Sequence, residues 1–221
     1  MTRLLPLERS SLFSPAWLIP FDEYNQVVRG IVRVSVDRWD GAEWRPADAQ
    51  VVRTPSGAFA FPGLGRRFTA PVRHRVLLSS PGYQPLYPAD DVAFDAGVVG
   101  VEFVVHPDPP AVGASPRLVR LLPDVTFAYP PGGRVVHGVV RDANTQAPIV
   151  NALVSAAGQV DQVQWRERTL SGAAGAFRLS LRWPADGGPV AVSATDRPGR
   201  GGSVSVRLPQ DVGASQVIEI S

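Results

Sequence analysis

Short runs of alternating apolar and polar residues, each broken by glycine or proline, recur along the whole chain. In VVRGIVRVSVD, Val28, Val32, Val34 and Val36 share one face while Arg29, Arg33 and Asp37 share the other. That period of two belongs to a half-buried antiparallel strand. VVGVEFVVHP places Val99, Val101, Phe103 and Val105 together, and FRLSLRW turns Phe177, Leu179, Leu181 and Trp183 inward with Arg178, Ser180 and Arg182 outward. Asp40-Gly41 and Pro81-Gly82, with the PSG, RPGRGG and PQDVGAS stretches, supply turns between the runs. Apolar residues never hold helical spacing over a long window, which predicts an all-β protein.

An internal repeat organises these strands. VVRGIVR at 27–33 matches VVHGVVR at 135–141, PADAQVV at 46–52 matches PIVNALV at 148–154, and SGAFAF at 56–61 matches AGAFRL at 174–179. The expected division is an extended N-terminal arm over 1–24, a first β-sandwich over 25–108, a Pro-rich linker over 109–131 and a second β-sandwich over 132–221. Within the linker region, RLVRLLPDVTFAYPPGG has enough apolar residues for a short strand that docks onto either domain. In the arm, Pro6, Pro15 and Pro20 forbid one continuous helix. Its apolar residues, with Leu12, Phe13, Trp17, Leu18, Ile19 and Phe21 the candidates for docking, must lie either on their own domain or on a partner.

The second copy carries a recognisable motif set: Gly138, Val140 and Asp142, then Pro148, Ile149, Asn151, Ala152 and Val154, then Gly175, Phe177 and Leu179. It resembles carboxypeptidase regulatory-like domains, which are prealbumin (transthyretin-like) sandwiches, closely over 132–221 and more loosely over 25–106. The resemblance implies two tandem Greek-key, prealbumin-like β-sandwiches acting as appended, non-catalytic modules. The approach LLPDVTFAYPPGGRVVHGVVRD also resembles the lead-in of such domains in phage-tail-like contractile injection systems. That implies a structural adaptor among the protein subunits of a large particle, as a baseplate, sheath or cap accessory.

Composition narrows the chemistry. The chain has 221 residues and no cysteine, so disulfides and thiolate metal sites are absent. All of its cationic side chains other than histidine are arginines, and the lysine count is nil, which removes lysine-dependent catalysis and the Lys–Asn cross-link that collagen-adhesin-type sandwiches can form. A net charge of +2, with arginines scattered among carboxylates, does not make a nucleic-acid-binding face. No apolar stretch reaches the length of a membrane span. Pro6, Glu8 and Arg9 interrupt the N-terminal apolar run before it resembles a signal peptide, and the expected location is cytoplasmic or particle-associated.

Candidate sites are few. His74, His106 and His137 form no metal-ligand spacing; His137 should face solvent, and His74, alternating with Val76 and Leu78, should be a core or rim histidine with one hydrogen-bond partner. The Gly-rich PGLGRRF reads as a turn, Asp90 and Asp91 as solvated loop carboxylates, and Arg197 and Arg200 as loop cations. No catalytic residue, cofactor or metal ligand is expected. Trp39 and Trp44, flanking a turn beside Asp37, Asp40 and Glu43, have two readings: packing across a hairpin, or a polysaccharide-binding pair.

Overall fold

Alternation becomes strand wherever a partner strand can take up the backbone hydrogen bonds. The computed structural model describes residues 13–64, 68–107, 114–184 and 188–221. Its first half contains β1 (Trp17–Asp22), β2 (Val27–Val28), β3 (Arg33–Trp39), β4 (Trp44–Pro46), β5 (Val52–Arg53), β6 (Phe59–Ala60), β7 (Val72–Ser79), β8 (Tyr83–Leu86), β9 (Val101–Val105) and β10 (Pro116–Pro123). The second half contains β11 (Val135–Asp142), β12 (Leu153–Val160), β13 (Val163–Leu170), β14 (Ala176–Ser180), β15 (Pro189–Arg197), β16 (Arg200–Arg207) and β17 (Ser215–Ile220). Among the described residues the only helical element is a 3-10 turn at Ala173–Gly175.

The second half is a sandwich of a three-stranded sheet, β14-β11-β17, and a four-stranded sheet, β13-β12-β15-β16. Along β11 burial alternates, with Val136, Gly138 and Val140 inside and Val135, His137 and Val139 partly exposed. Val136, Val140, Val154, Phe177, Leu179, Val192, Ile218 and Ile220 close into one core. Burying each large apolar side chain contributes about 1.5–3 kcal/mol, which offsets the entropy of ordering the strands. β11 pairs antiparallel with β14 and parallel with β17, so Gly138 faces Gln216. A Cβ at Gly138 would run into the Gln216 carbonyl, and the position needs glycine for space alone.

The first half repeats this strand order. β4-β3-β7-β9 matches β13-β12-β15-β16, and β6-β1-β10 matches β14-β11-β17; β5, β8 and the short β2 are additions to the second of these sheets. The repeat therefore begins at β1, not at Val27. Turn chemistry shows the same equivalence. Asp22 accepts from the Asn25 backbone N–H, as Asp142 accepts from those of Asn144 and Thr145. Gln26 and Gln146 both have positive φ, 57° and 58°, and each donates its side-chain amide to the carbonyl of the residue after the aspartate. The Arg29 N–H bonds Pro20 just as the Ile149 N–H bonds Val140.

Several expectations change as a result. Within the arm, Trp17–Asp22 is strand β1, and in the supposed linker Pro116–Pro123 is strand β10, with Val119, Leu121 and Leu122 fully buried. VVRGIVRVSVD is not one strand: Val27–Val28 pairs with β1, the chain breaks at Gly30–Val32, and β3 starts at Arg33. Val28 is consequently exposed, whereas Val36 is buried. Val99 precedes β9 and is also exposed. Trp183 faces outward, 55% exposed, because β14 ends at Ser180 and its alternation stops there.

The chain divides into two compact units. One comprises Met1–Ile19, Ser35–Val76 and Glu102–Arg117, and the other Pro20–Val34, Leu77–Val101 and Leu118–Ser221. Each therefore gathers segments distant in sequence, unlike a partition made in chain order. In the first unit, Trp17 and Leu18 pair with Ala60 and Phe59, and the Ser14 hydroxyl accepts the Phe61 N–H. In the second, segments from the first half are fastened to the C-terminal strands by arginines.

Candidate functional site

The equivalent hairpins β3–β4 and β12–β13 carry tryptophans, and both are long enough to present side chains away from the sheet. In the first, Trp39 and Trp44 are direct cross-strand partners whose rings meet edge to face, with centroids 5.3 Å apart. The turn is fixed by Asp40, whose carboxylate accepts the Ala42 and Glu43 N–H groups at 2.9 Å. Those backbone bonds hold its acidity above that of an ordinary aspartate. Arg73 lies over both indoles at 5.7 Å, and Arg75 lies over Trp44 at 4.8 Å. The Arg75 guanidinium is itself held by Asp37 at 2.8 Å. Two rings at 62° to each other, covered by guanidinium groups, are arranged for packing across the hairpin and do not form a common flat platform.

The residues proposed for docking are dispersed. Leu12 lies outside the described residues. Leu18 is 1% exposed and part of the core, while Phe13, Trp17, Ile19 and Phe21 are half-buried. β1 alternates as any strand does, so one side of this apolar run is consumed by its own fold.

Charged side chains in the second unit form closed networks. Arg168 has a side chain only 5% exposed, yet it donates to Glu23 through Nε at 2.7 Å and to Asp90 through Nη1 at 3.0 Å. Burial works against its charge, but the two carboxylates more than compensate and hold it firmly protonated. Arg120 joins the same carboxylates. Asp90 is thus an ion-pair partner, not the solvated loop acid expected. Arg182 grips Glu167 through two bonds of 2.8 and 3.0 Å, donates to the Tyr24 carbonyl and lies 4.2 Å over the Tyr24 ring. Arg178 donates to the Val125 and Phe127 carbonyls. Arg200, expected free on its loop, bridges Asp142 and Asp196. The buried Tyr83 hydroxyl donates to Asp22 at 2.6 Å; burial first, then this carboxylate, raises its pKa.

The histidines follow their alternation. His137 is partly exposed opposite the core face of β11, and His106 is exposed. His74 is fully buried between Phe68 and Phe103, with Nδ1 3.1 Å from the Val72 carbonyl. Desolvation lowers its pKa, so it is neutral in the fold. Because the unfolded chain takes up a proton at about pH 6.5 and the folded chain does so lower, stability should fall as pH drops below about 6.5. Chemical denaturation at pH 7 and pH 5 should show the wild type losing more stability on acidification than His74→Phe. An equal loss in both proteins would remove His74 as the cause.

One concave feature was not anticipated from the sequence. On the β12–β13 hairpin, Trp165 and Trp183 line an open groove of about 400 Å3 within the second unit. Trp165 faces Gly158 across the hairpin and occupies the space where a Gly158 side chain would project. The available signal was the Gly158–Trp165 spacing about the turn, together with proline directly after Trp183, which ends the strand alternation. Among the described residues no cluster of His, Asp or Glu suits a metal ion.

No protein-family model matches the chain, and no curated protein does. Among solved structures, a streptococcal ancillary pilin is 12% identical with a TM-score of 0.30, over 96% of this chain and 63% of that one. A shaft pilin from Lactobacillus rhamnosus GG is 10% identical with a TM-score of 0.28, over 94% of this chain and 97% of that one. The chain thus spans less than two thirds of the ancillary pilin. At these scores the likeness carries no argument, and the fold rests on the sheets themselves.

Proposed function

We propose that this chain is a non-catalytic structural protein that docks as an adaptor into a large protein assembly. The observation that carries the reading is the use of its ionisable groups. Glu23, Asp90, Asp142, Glu167 and Asp196 each end on an arginine that ties one segment to another, and His74 is sealed between aromatic rings. Groups spent in this way fix a shape; general acid–base chemistry needs them poised toward a substrate. Exposed apolar side chains, among them Ile31, Val92 and Val150, leave surface for partners.

The more specific setting is a phage-tail-like contractile injection particle. It rests on the resemblance of LLPDVTFAYPPGGRVVHGVVRD to the lead-in of such modules. In the fold this stretch is a structural seam: Phe127 and Tyr129 pack with Tyr24, and the Tyr129 hydroxyl donates to the Arg178 carbonyl.

A tagged full-length chain, sedimented from its native cells, tests both levels. Truncating the first 21 residues would not serve, because it removes most of β1. The chain should travel in a fast-sedimenting particle and leave it only when the particle is dissociated. Sedimentation as a free monomer would overturn the adaptor role. A particle lacking sheath and tube subunits would retain the adaptor role and remove the contractile one.

A further inference from the structure

The groove at Trp165 and Trp183 has a composition that neither packing nor the adaptor role uses. It lies beside a tight turn in which Asp161 and Gln162 both adopt positive φ, 48° and 68°. Two consecutive left-handed residues make the primed turn whose twist matches a hairpin, so Asp161 is held in a fixed position. Trp165 is backed by Gly158, and Trp183, 55% exposed, enters the lining from the segment after β14. Val163, 66% exposed, adds apolar surface.

The polar lining combines two amides, Gln26 and Gln164, with Asp161, Arg166 and Arg182. Gln164 is exposed, and Gln26, which donates one amide proton to the Glu23 carbonyl, retains its side-chain carbonyl as an acceptor. Arg182 is bound to Glu167 and to Tyr24, and Arg166 is 3.4 Å from Asp90. Arg182 is therefore compensated, whereas Arg166 shares Asp90 with Arg120 and Arg168 and keeps part of its charge at the rim. Amides and one carboxylate around two indoles match a ligand with apolar faces and many hydroxyls. The groove's volume falls in the usual range of about 300–1,000 Å3 for small-ligand sites.

We propose that this groove binds a neutral pyranose oligosaccharide. The C–H face of a sugar ring stacks on Trp183 or Trp165, where an indole contributes a broad apolar surface. The ring hydroxyls bond Gln26, Gln164 and Asp161. This moves saccharide recognition away from Trp39 and Trp44, whose rings are turned edge to face and covered by arginines. It does not depend on the adaptor role, which would survive its failure.

Calorimetric titration of the full chain with cellohexaose, maltohexaose and chitohexaose tests the site, with a proline decapeptide as the competing occupant. At least one hexasaccharide should bind saturably, and Trp183→Ala should weaken it at least tenfold. Because Trp183 is exposed, that variant should keep the wild-type melting temperature, and Gln164→Ala should weaken binding without unfolding. Binding of none of the three sugars would overturn the proposal, as would binding unchanged by Trp183→Ala. Binding lost in Trp39→Ala but retained in Trp183→Ala would place the site on the other hairpin. Binding of the peptide alone would make the groove a protein-docking site.

Discussion

Arg168→Ala should destabilise the second unit by about 3 kcal/mol, read as a shift in denaturant midpoint at unchanged slope. The guanidinium is nearly inaccessible and supplies bonds to Glu23 and Asp90, two carboxylates from distant parts of the chain. Truncation leaves those carboxylates facing each other with less compensation. The cost sits at the low end for a buried pair because Asp90 is 37% exposed and Arg120 remains beside both. Arg168→Met with Glu23→Leu, which removes charge from both sides, should cost less than Arg168→Ala alone. If the double variant is the less stable, the network contributes more than desolvation allows.

Gly138→Ala should cost a similar amount, about 3 kcal/mol, for a different reason. A methyl there collides with the Gln216 carbonyl across the parallel β11–β17 ladder, and rigid backbone has to move to admit it. Gly213→Ala is the matched control: a Cβ there meets nothing within 4 Å, and its melting curve should overlay the wild type. Thermal unfolding of the two variants separates loss of space from any general effect of replacing glycine. Equal melting temperatures would mean that β17 can shift away from β11 at little cost.

The second sandwich was largely legible. Alternation put Phe177, Leu179 and Leu181 in the core, and it put His137 on the outward face of β11. The first sandwich was misregistered for a physical reason. Valine alternation is generic, so VVRGIVR matches VVHGVVR in letters although the two occupy different places in the sheets. The specific signal was the turn, DEYNQ against DANTQ, where an aspartate accepts backbone N–H groups and a glutamine four residues later takes positive φ. Proline density also misled. Pro116 and Pro123 mark the two ends of β10, where a missing N–H does no harm, and do not make the segment a linker.

What the sequence determined alone was local: strand periodicity, turn positions, and a chemistry without thiols or amine side chains. Tertiary structure decided which strands pair, that the supposed arm and linker strand belong in a sheet, and that scattered arginines meet carboxylates far away in the chain. It also decided which tryptophans stay open. Trp39 and Trp44 face each other across one turn, while Trp165 and Trp183 come to one groove because β13 and the segment after β14 meet there. Periodicity depends on a residue and its neighbours, whereas partner choice and exposure depend on long-range burial that no short stretch encodes.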